Sequence, residues 1–106
     1  MTERTLIVAR LDPQHTGEVA RLFAESDAGE LPRLVGVTSR TLFSYRGLYF
    51  HHIEAEAPVG AKLRALRDKP VFSGLNEALA QFVVPYRPDW QEPRDAMATP
   101  FYHWDA

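Results

Sequence analysis

A β-branched run at residues 5–11, two apolar strands meeting at Arg46-Gly47, and helical spacing on either side of that hairpin predict an α+β fold. The order is β-α-β-β-α-β, the ferredoxin-like pattern. It implies an antiparallel four-stranded sheet with helices on one face and a C-terminal extension. At 106 residues there is little room for a second core, so residues 1–106 read as one domain.

Thr5 to Leu11 (TLIVARL) is the first strand, bounded by Asp12-Pro13. Asp12 can cap the following helix with Pro13 in its first turn, where a missing N–H costs nothing. From Gln14 to Asp27, Val19, Leu22, Phe23 and Ser26 recur at helical spacing, and Gly29 reads as the stop. Glu30, Leu31 and Pro32 are expected in a loop. Residues 34–45 and 48–55 then carry the Val, Thr, Leu, Tyr, Phe and Ile of a hairpin that closes at Ala57-Pro58. Val59 to Lys69 reads as helical, with Leu63, Leu66 and Arg67 on one face, and Pro70 interrupts it. Helical spacing resumes at Phe72, Leu75, Leu79 and Phe82. Val83 to Tyr86 is a last short strand, placed at an edge by Pro85.

Residues 87–106 are punctuated by Pro88, Pro93 and Pro100, yet contain Trp90, Met97, Phe101, Tyr102 and Trp104. A disordered tail would be poor in such residues. Trp90, Phe101, Tyr102 and Trp104 are therefore expected to be mostly buried, on this sheet or on a partner chain. Both faces of the hairpin are apolar, so the face without helices also needs cover. A second copy of the sheet would supply it, which predicts a homodimer of the dimeric α+β barrel type.

The register of the hairpin locates its polar residues. A two-residue turn at Arg46-Gly47 sets Tyr45 opposite Leu48, Leu42 opposite His51 and Arg40 opposite Ile53. Arg40 and His51 then become diagonal neighbours on one face, with Leu42, Tyr49 and Ile53. His52 points the other way, with Thr41, Phe43 and Phe50. A bulge would break this parity.

Bulk properties exclude several functions. The apolar fraction of 45% and charged fraction of 25% are those of an ordinary globular protein. A formal charge of −2 with scattered basic residues offers no surface for nucleic acid. Without cysteine there is no disulfide, thiolate metal site or cysteine nucleophile. MTERTLIVAR lacks the pattern of a signal peptide, and no apolar stretch approaches the ~20 residues of a membrane span. A cytoplasmic location is the expectation. No phosphate loop, nucleophile elbow or dinucleotide motif occurs, which argues against a nucleotide-dependent enzyme.

Arg40, His51 and His52 carry what chemistry the hairpin offers. Adjacent histidines on a strand face opposite ways and cannot share a metal ion, so no metal is expected. His51 could be an acid/base or a hydrogen-bonded core histidine. His52 fits sheet packing or a dimer face. Arg40, mid-strand among apolar neighbours, must meet a carboxylate or line a polar cavity. Asp27, Glu54 and Glu56 are the candidate partners. The cavity between sheet and helices is expected to be lined by Arg40, Leu42, His51 and Ile53, with Asp27 at its rim. Phe23, Tyr49 and Trp90 are further candidates for substrate contact.

The segment SDAGELPRLVGVTSRTLFSYRGLYFHHIE, followed by DAMATPFYHW, resembles the tetracenomycin-type family of aromatic polyketide cyclases. The resemblance covers nearly the whole chain, and SD-x-x-ELP, RTLF and GLYFH carry it. It implies a small dimeric ferredoxin-like enzyme of a type II polyketide pathway, making an antibiotic or a spore pigment. Such an enzyme acts without a cofactor on aromatic polyketide intermediates, and association with polyketide synthase components is implied as well. Residues discussed for catalysis in that family match Asp27, Arg40 and His51. Where other members can carry a histidine beside the aspartate, this chain has Ser26. The implied reaction is a regioselective aldol cyclisation with loss of water. His51 would shuttle the proton, Arg40 hold the oxyanion and Asp27 orient either one. Two rival readings are a cofactor-independent monooxygenase of the same fold and a non-catalytic subunit that steers the polyketide chain. Oxygen consumption would reveal the first, and indifference of the product profile to loss of Arg40 and His51 the second.

Overall fold

Four antiparallel strands form one sheet in the order β2-β3-β1-β4, with β1 Glu3–Leu11, β2 Val37–Tyr45, β3 Leu48–Ala55 and β4 Val83–Pro85. This computed structural model describes residues 2–91 and 93–106. The helices α1 Thr16–Asp27, α2 Leu31–Val35, α3 Gly60–Leu66 and α4 Pro70–Leu79 complete the ferredoxin-like arrangement.

The hairpin pairs as its turn dictates. Arg40 lies opposite Ile53, Leu42 opposite His51 and Tyr45 opposite Leu48. Arg46 (φ 49°) and Gly47 (φ 81°) both occupy the left-handed region, as a type I′ turn requires. The register does shift once, between Val37 and Ser39. That irregularity precedes Arg40, so the parity of residues 39–45 is kept. On β3 the consequence is a strict alternation in which Tyr49, His51, Ile53 and Ala55 are buried.

These buried residues face the helices in two clusters. In one, Ala9, Leu11 and Tyr49 pack with Val19 and Phe23 of α1. In the other, Ile53 and Ala55 pack with Leu31, Val35 and Val59. Leu75 of α4 packs against both. His51 falls between Tyr49 and Ile53, on the seam of the two clusters. It is the buried polar side chain among the described residues, at 6% exposure.

Three sequence expectations are corrected. Residues 31–35 form a helical turn rather than a loop or the start of a strand. Pro32 is acceptable in its first turn, Leu31 and Val35 share a buried face, and Gly36 (φ 84°) ends it in the left-handed conformation. The first helix starts with a 3-10 turn at Pro13–His15 under the Asp12 cap, and α1 proper begins at Thr16.

The largest correction concerns the C-terminus. Met97 bridges to Ile7, and the Ala98 amide donates to the Leu6 carbonyl at 2.7 Å, so the chain returns to the edge of β1. Beyond that point its aromatic residues lie open. Phe101 is 97% exposed, Tyr102 80% and Trp104 69%, whereas Trp90 is half-buried. The expected burial of the first three therefore fails within a single chain. The strand pairing that anchors Met97 and Ala98 has ended before Pro100, which has no N–H to extend it.

Candidate active site

Asp27, the last residue of α1, points its carboxylate at the guanidinium of Arg40 on β2. Arg40 Nε donates to Asp27 Oδ2 at 3.0 Å and Nη2 donates to Oδ1 at 2.9 Å, a two-pronged ion pair. The third nitrogen, Nη1, lies 2.8 Å from Nε2 of His51. A guanidinium has no acceptor, so Nε2 must receive that hydrogen bond. A neutral His51 therefore carries its proton on Nδ1. The result is a connected row, Asp27–Arg40–His51, assembled from a helix end, an edge strand and a central strand.

Aromatic rings surround the row. Phe23 stands edge-on to His51 with centroids 5.0 Å apart, and the Arg40 guanidinium carbon lies 4.8 Å over the Phe23 ring. Tyr49 meets His51 at 6.1 Å. Burial, the Arg40 charge and His52 together lower the His51 pKa from its ordinary 6.5 to about 3. The imidazole is thus neutral at neutral pH. Burial also raises the pKa of Tyr49, an effect that the Arg40 charge only partly opposes, so its phenol stays protonated.

Arg40 and His51 of this row form one wall of a cavity of about 420 Å³ between sheet and helices; Asp27, expected at its rim, holds Arg40 from outside and does not line it. Phe23, Tyr49, Ile53 and Trp90 line it, as does Arg40 with His51. Leu42 does not: although it shares their sheet face, it packs against the cluster around Tyr49 and Phe23. Among the described residues, no group of three His, Cys, Asp or Glu side chains is placed to hold a metal ion.

Comparison with known proteins gives this site its context. Residues 3–105 match the family model for polyketide synthesis cyclases. The chain belongs to the polyketide synthesis cyclase family. Tetracenomycin F2 cyclase of Streptomyces glaucescens is 42% identical over 106 residues, covering 100% of this chain and 97% of that protein. The polyketide synthase protein CurG of Streptomyces cyaneus is 45% identical over 101 residues, 94% of each chain. The solved structure of the S. glaucescens cyclase, a type II polyketide cyclase, superposes with a TM-score of 0.93 over 98% of both chains. A conserved protein from Methanosarcina mazei Go1, at 12% identity and a TM-score of 0.56, covers 78% of this chain and 82% of its own. It shares the fold alone.

In this cyclase, two lining residues carried no signal in the sequence. Asn76 sits on α4 beside the apolar Leu75, and Gln91 follows Trp90. Neither belongs to a spacing pattern that distinguishes a cavity from solvent. Gln91 arrives because the edge strand is interrupted. Pro85 pairs with Ala9 and Met97 with Ile7, two residues along β1, so residues 86–91 lie outside the strand pairing and Gln91 comes beside the cavity.

Proposed function

We propose that this protein closes a ring in an aromatic polyketide intermediate by intramolecular aldol condensation, without a cofactor. One observation carries the reading: a guanidinium and a neutral imidazole, the first held by a carboxylate behind it, set into the wall of an otherwise largely apolar cavity. A cavity of about 420 Å³ suits a small polycyclic substrate.

The chemistry follows from what each group can do. A proton leaves the carbon between two carbonyls, the electron pair moves to an oxygen, and the resulting enolate carbon attacks a second carbonyl. Arg40 supplies positive charge where the enolate oxygen develops, and Asp27 fixes the plane of the guanidinium so that little reorganisation is needed. His51 moves the proton. At rest its Nε2 faces a cation and is a weak base. As the enolate forms, negative charge offsets the Arg40 cation, and the imidazole becomes more basic when a proton must be taken up. The protonated imidazole returns its proton to the new alkoxide, giving the aldol hydroxyl. His51 then takes the second proton of the same carbon and passes it to that hydroxyl, which leaves as water as the carbon–carbon double bond forms. Phe23, Tyr49, Ile53 and Trp90 would hold the chain so that the reacting carbons meet, which by itself supplies much of the acceleration.

The same reading makes the protein a homodimeric, cytoplasmic, single-domain enzyme over residues 1–106, working beside polyketide synthase components. Support for the dimer comes from the outer sheet face. The helices pack on the opposite face, yet this one carries Leu6, Val8, Phe43 and Phe50, and the C-terminal Phe101, Tyr102 and Trp104 are mostly exposed. No helix among the described residues is long and apolar enough to cross a membrane.

Coexpression with a minimal type II polyketide synthase tests the activity. The expected result is a cyclised product absent without this protein. An unchanged product profile would contradict the reading, and oxygen uptake with a hydroxyanthracene substrate would favour a monooxygenase instead.

A further inference from the structure

Tyr49 is a core aromatic residue whose hydroxyl the row Asp27–Arg40–His51 does not use. Its side chain belongs to the core, with only 3% of the residue exposed. The phenol nevertheless makes no hydrogen bond to any of the described residues. Among those residues, no fully buried side-chain nitrogen or oxygen is without a partner. The two facts together require that the Tyr49 hydroxyl be open to space, and the space Tyr49 lines is the cavity. A hydroxyl that no described residue engages, open to an otherwise largely apolar cavity, is free to donate to a ligand that enters it.

Its place relative to the other groups says which ligand. Along β3, Tyr49, His51 and Ile53 point inward in succession, and Arg40 sits opposite Ile53. Along the cavity wall His51 is thus flanked by Tyr49, whose ring centroid lies 6.1 Å from its own, and by Ile53, opposite which Arg40 reaches Nε2 at 2.8 Å. A 1,3-dicarbonyl unit has the matching pattern, with two acceptor oxygens flanking the carbon that gives up a proton.

Resting on the cyclase reading above, we infer that Arg40 and Tyr49 hold the two oxygens of one 1,3-dicarbonyl unit, with His51 facing the carbon between them. Tyr49 would then be a catalytic hydrogen-bond donor and not merely a core residue. As Nε2 of His51 takes the proton from that carbon, exchanging its contact with Arg40 Nη1 for the new N–H bond, the electron pair of the broken C–H bond spreads over both oxygens, and each donor meets part of the charge. The Tyr49 O–H bond does not break. Burial keeps that phenol protonated, which leaves the donor in place throughout.

Two probes with one carbon skeleton test this: benzoylacetone, with two carbonyls, and butyrophenone, with one. Binding to the full chain and to Tyr49→Phe is followed by NMR titration. The substitution removes one oxygen that makes no hydrogen bond in the fold, so the melting temperature should not move. The parent protein should prefer benzoylacetone, and Tyr49→Phe should weaken that compound about fivefold, as one lost hydrogen bond implies, while leaving butyrophenone unchanged. Equal weakening of both would mean packing alone and overturn the inference. So would no effect on either, no preference in the parent, or no binding by it. Failure of the cyclase reading is seen separately, as an unchanged product profile when the parent protein is coexpressed with the synthase.

Discussion

Arg40 donates through Nη1 to Nε2 of His51 at 2.8 Å, and Asp27 holds the rest of the same guanidinium. One cation thus fixes the tautomer of the imidazole and opposes its protonation. His51 sits neutral in the core because burial and this contact act in the same direction.

That coupling makes stability depend on pH. The folded His51 pKa of about 3 lies below its ordinary 6.5, so between these values the unfolded chain binds a proton that the folded one refuses. Its contribution is complete above the unfolded value and is lost as pH falls through the window, by at most about 1.4 kcal/mol per pH unit. Urea unfolding of the parent and of His51→Gln between pH 7 and 5 checks this. The parent should lose stability more steeply, and parallel curves would contradict the argument.

Removing the cation should reveal the larger cause. Burial stands ahead of Arg40 in lowering the His51 pKa. In Arg40→Gln the imidazole should titrate higher than in the parent but still below its ordinary range. An NMR titration of the ring protons measures it, and full return to the value of an exposed histidine would show that burial matters less than supposed.

His51→Ala and Arg40→Ala should each slow cyclisation, or divert it to shunt products, without unfolding the chain. A loss of about 10²-fold is expected where proton transfer limits the rate, and less where positioning does. Product profiles from coexpression with a minimal synthase report both. Regioselectivity kept intact in the Arg40/His51 double variant would remove these residues from the mechanism.

Deleting residues 99–106 removes Phe101, Tyr102 and Trp104, which lie mostly exposed on their own chain. The truncated protein should keep its secondary structure yet shift toward monomer in light scattering. An unchanged mass would mean the segment plays no part in association.

The turn offers a stability test remote from the site. Arg46 holds φ 49°, a conformation that costs most side chains about 1–2 kcal/mol and that asparagine adopts more readily. Arg46→Asn should stabilise the fold by up to about 1 kcal/mol, read as a higher urea midpoint. A loss of stability would mean that the stacking of Arg46 on Tyr45, at 5.5 Å, outweighs the backbone term.

The alternation of strand residues and the two-residue turn at Arg46-Gly47 were enough to set Arg40 and His51 on one face, because side-chain direction follows from parity once the register is pinned. The order of strands and helices along the chain was likewise legible, since each element carried its own period. Other features depended on distance in space. Asp27 was one of three carboxylates that could have met Arg40, and only the docking of α1 against the sheet selected it. Residues 31–35 became a helical turn because Leu31 and Val35 found a common buried surface, which local composition does not report. Asn76 and Gln91 reached the cavity through the packing of α4 and the detour of the chain between Pro85 and Met97. Periodicity states which way a side chain points within its element; what it meets there is decided by how the elements dock, and that energy is shared among contacts far apart in the chain.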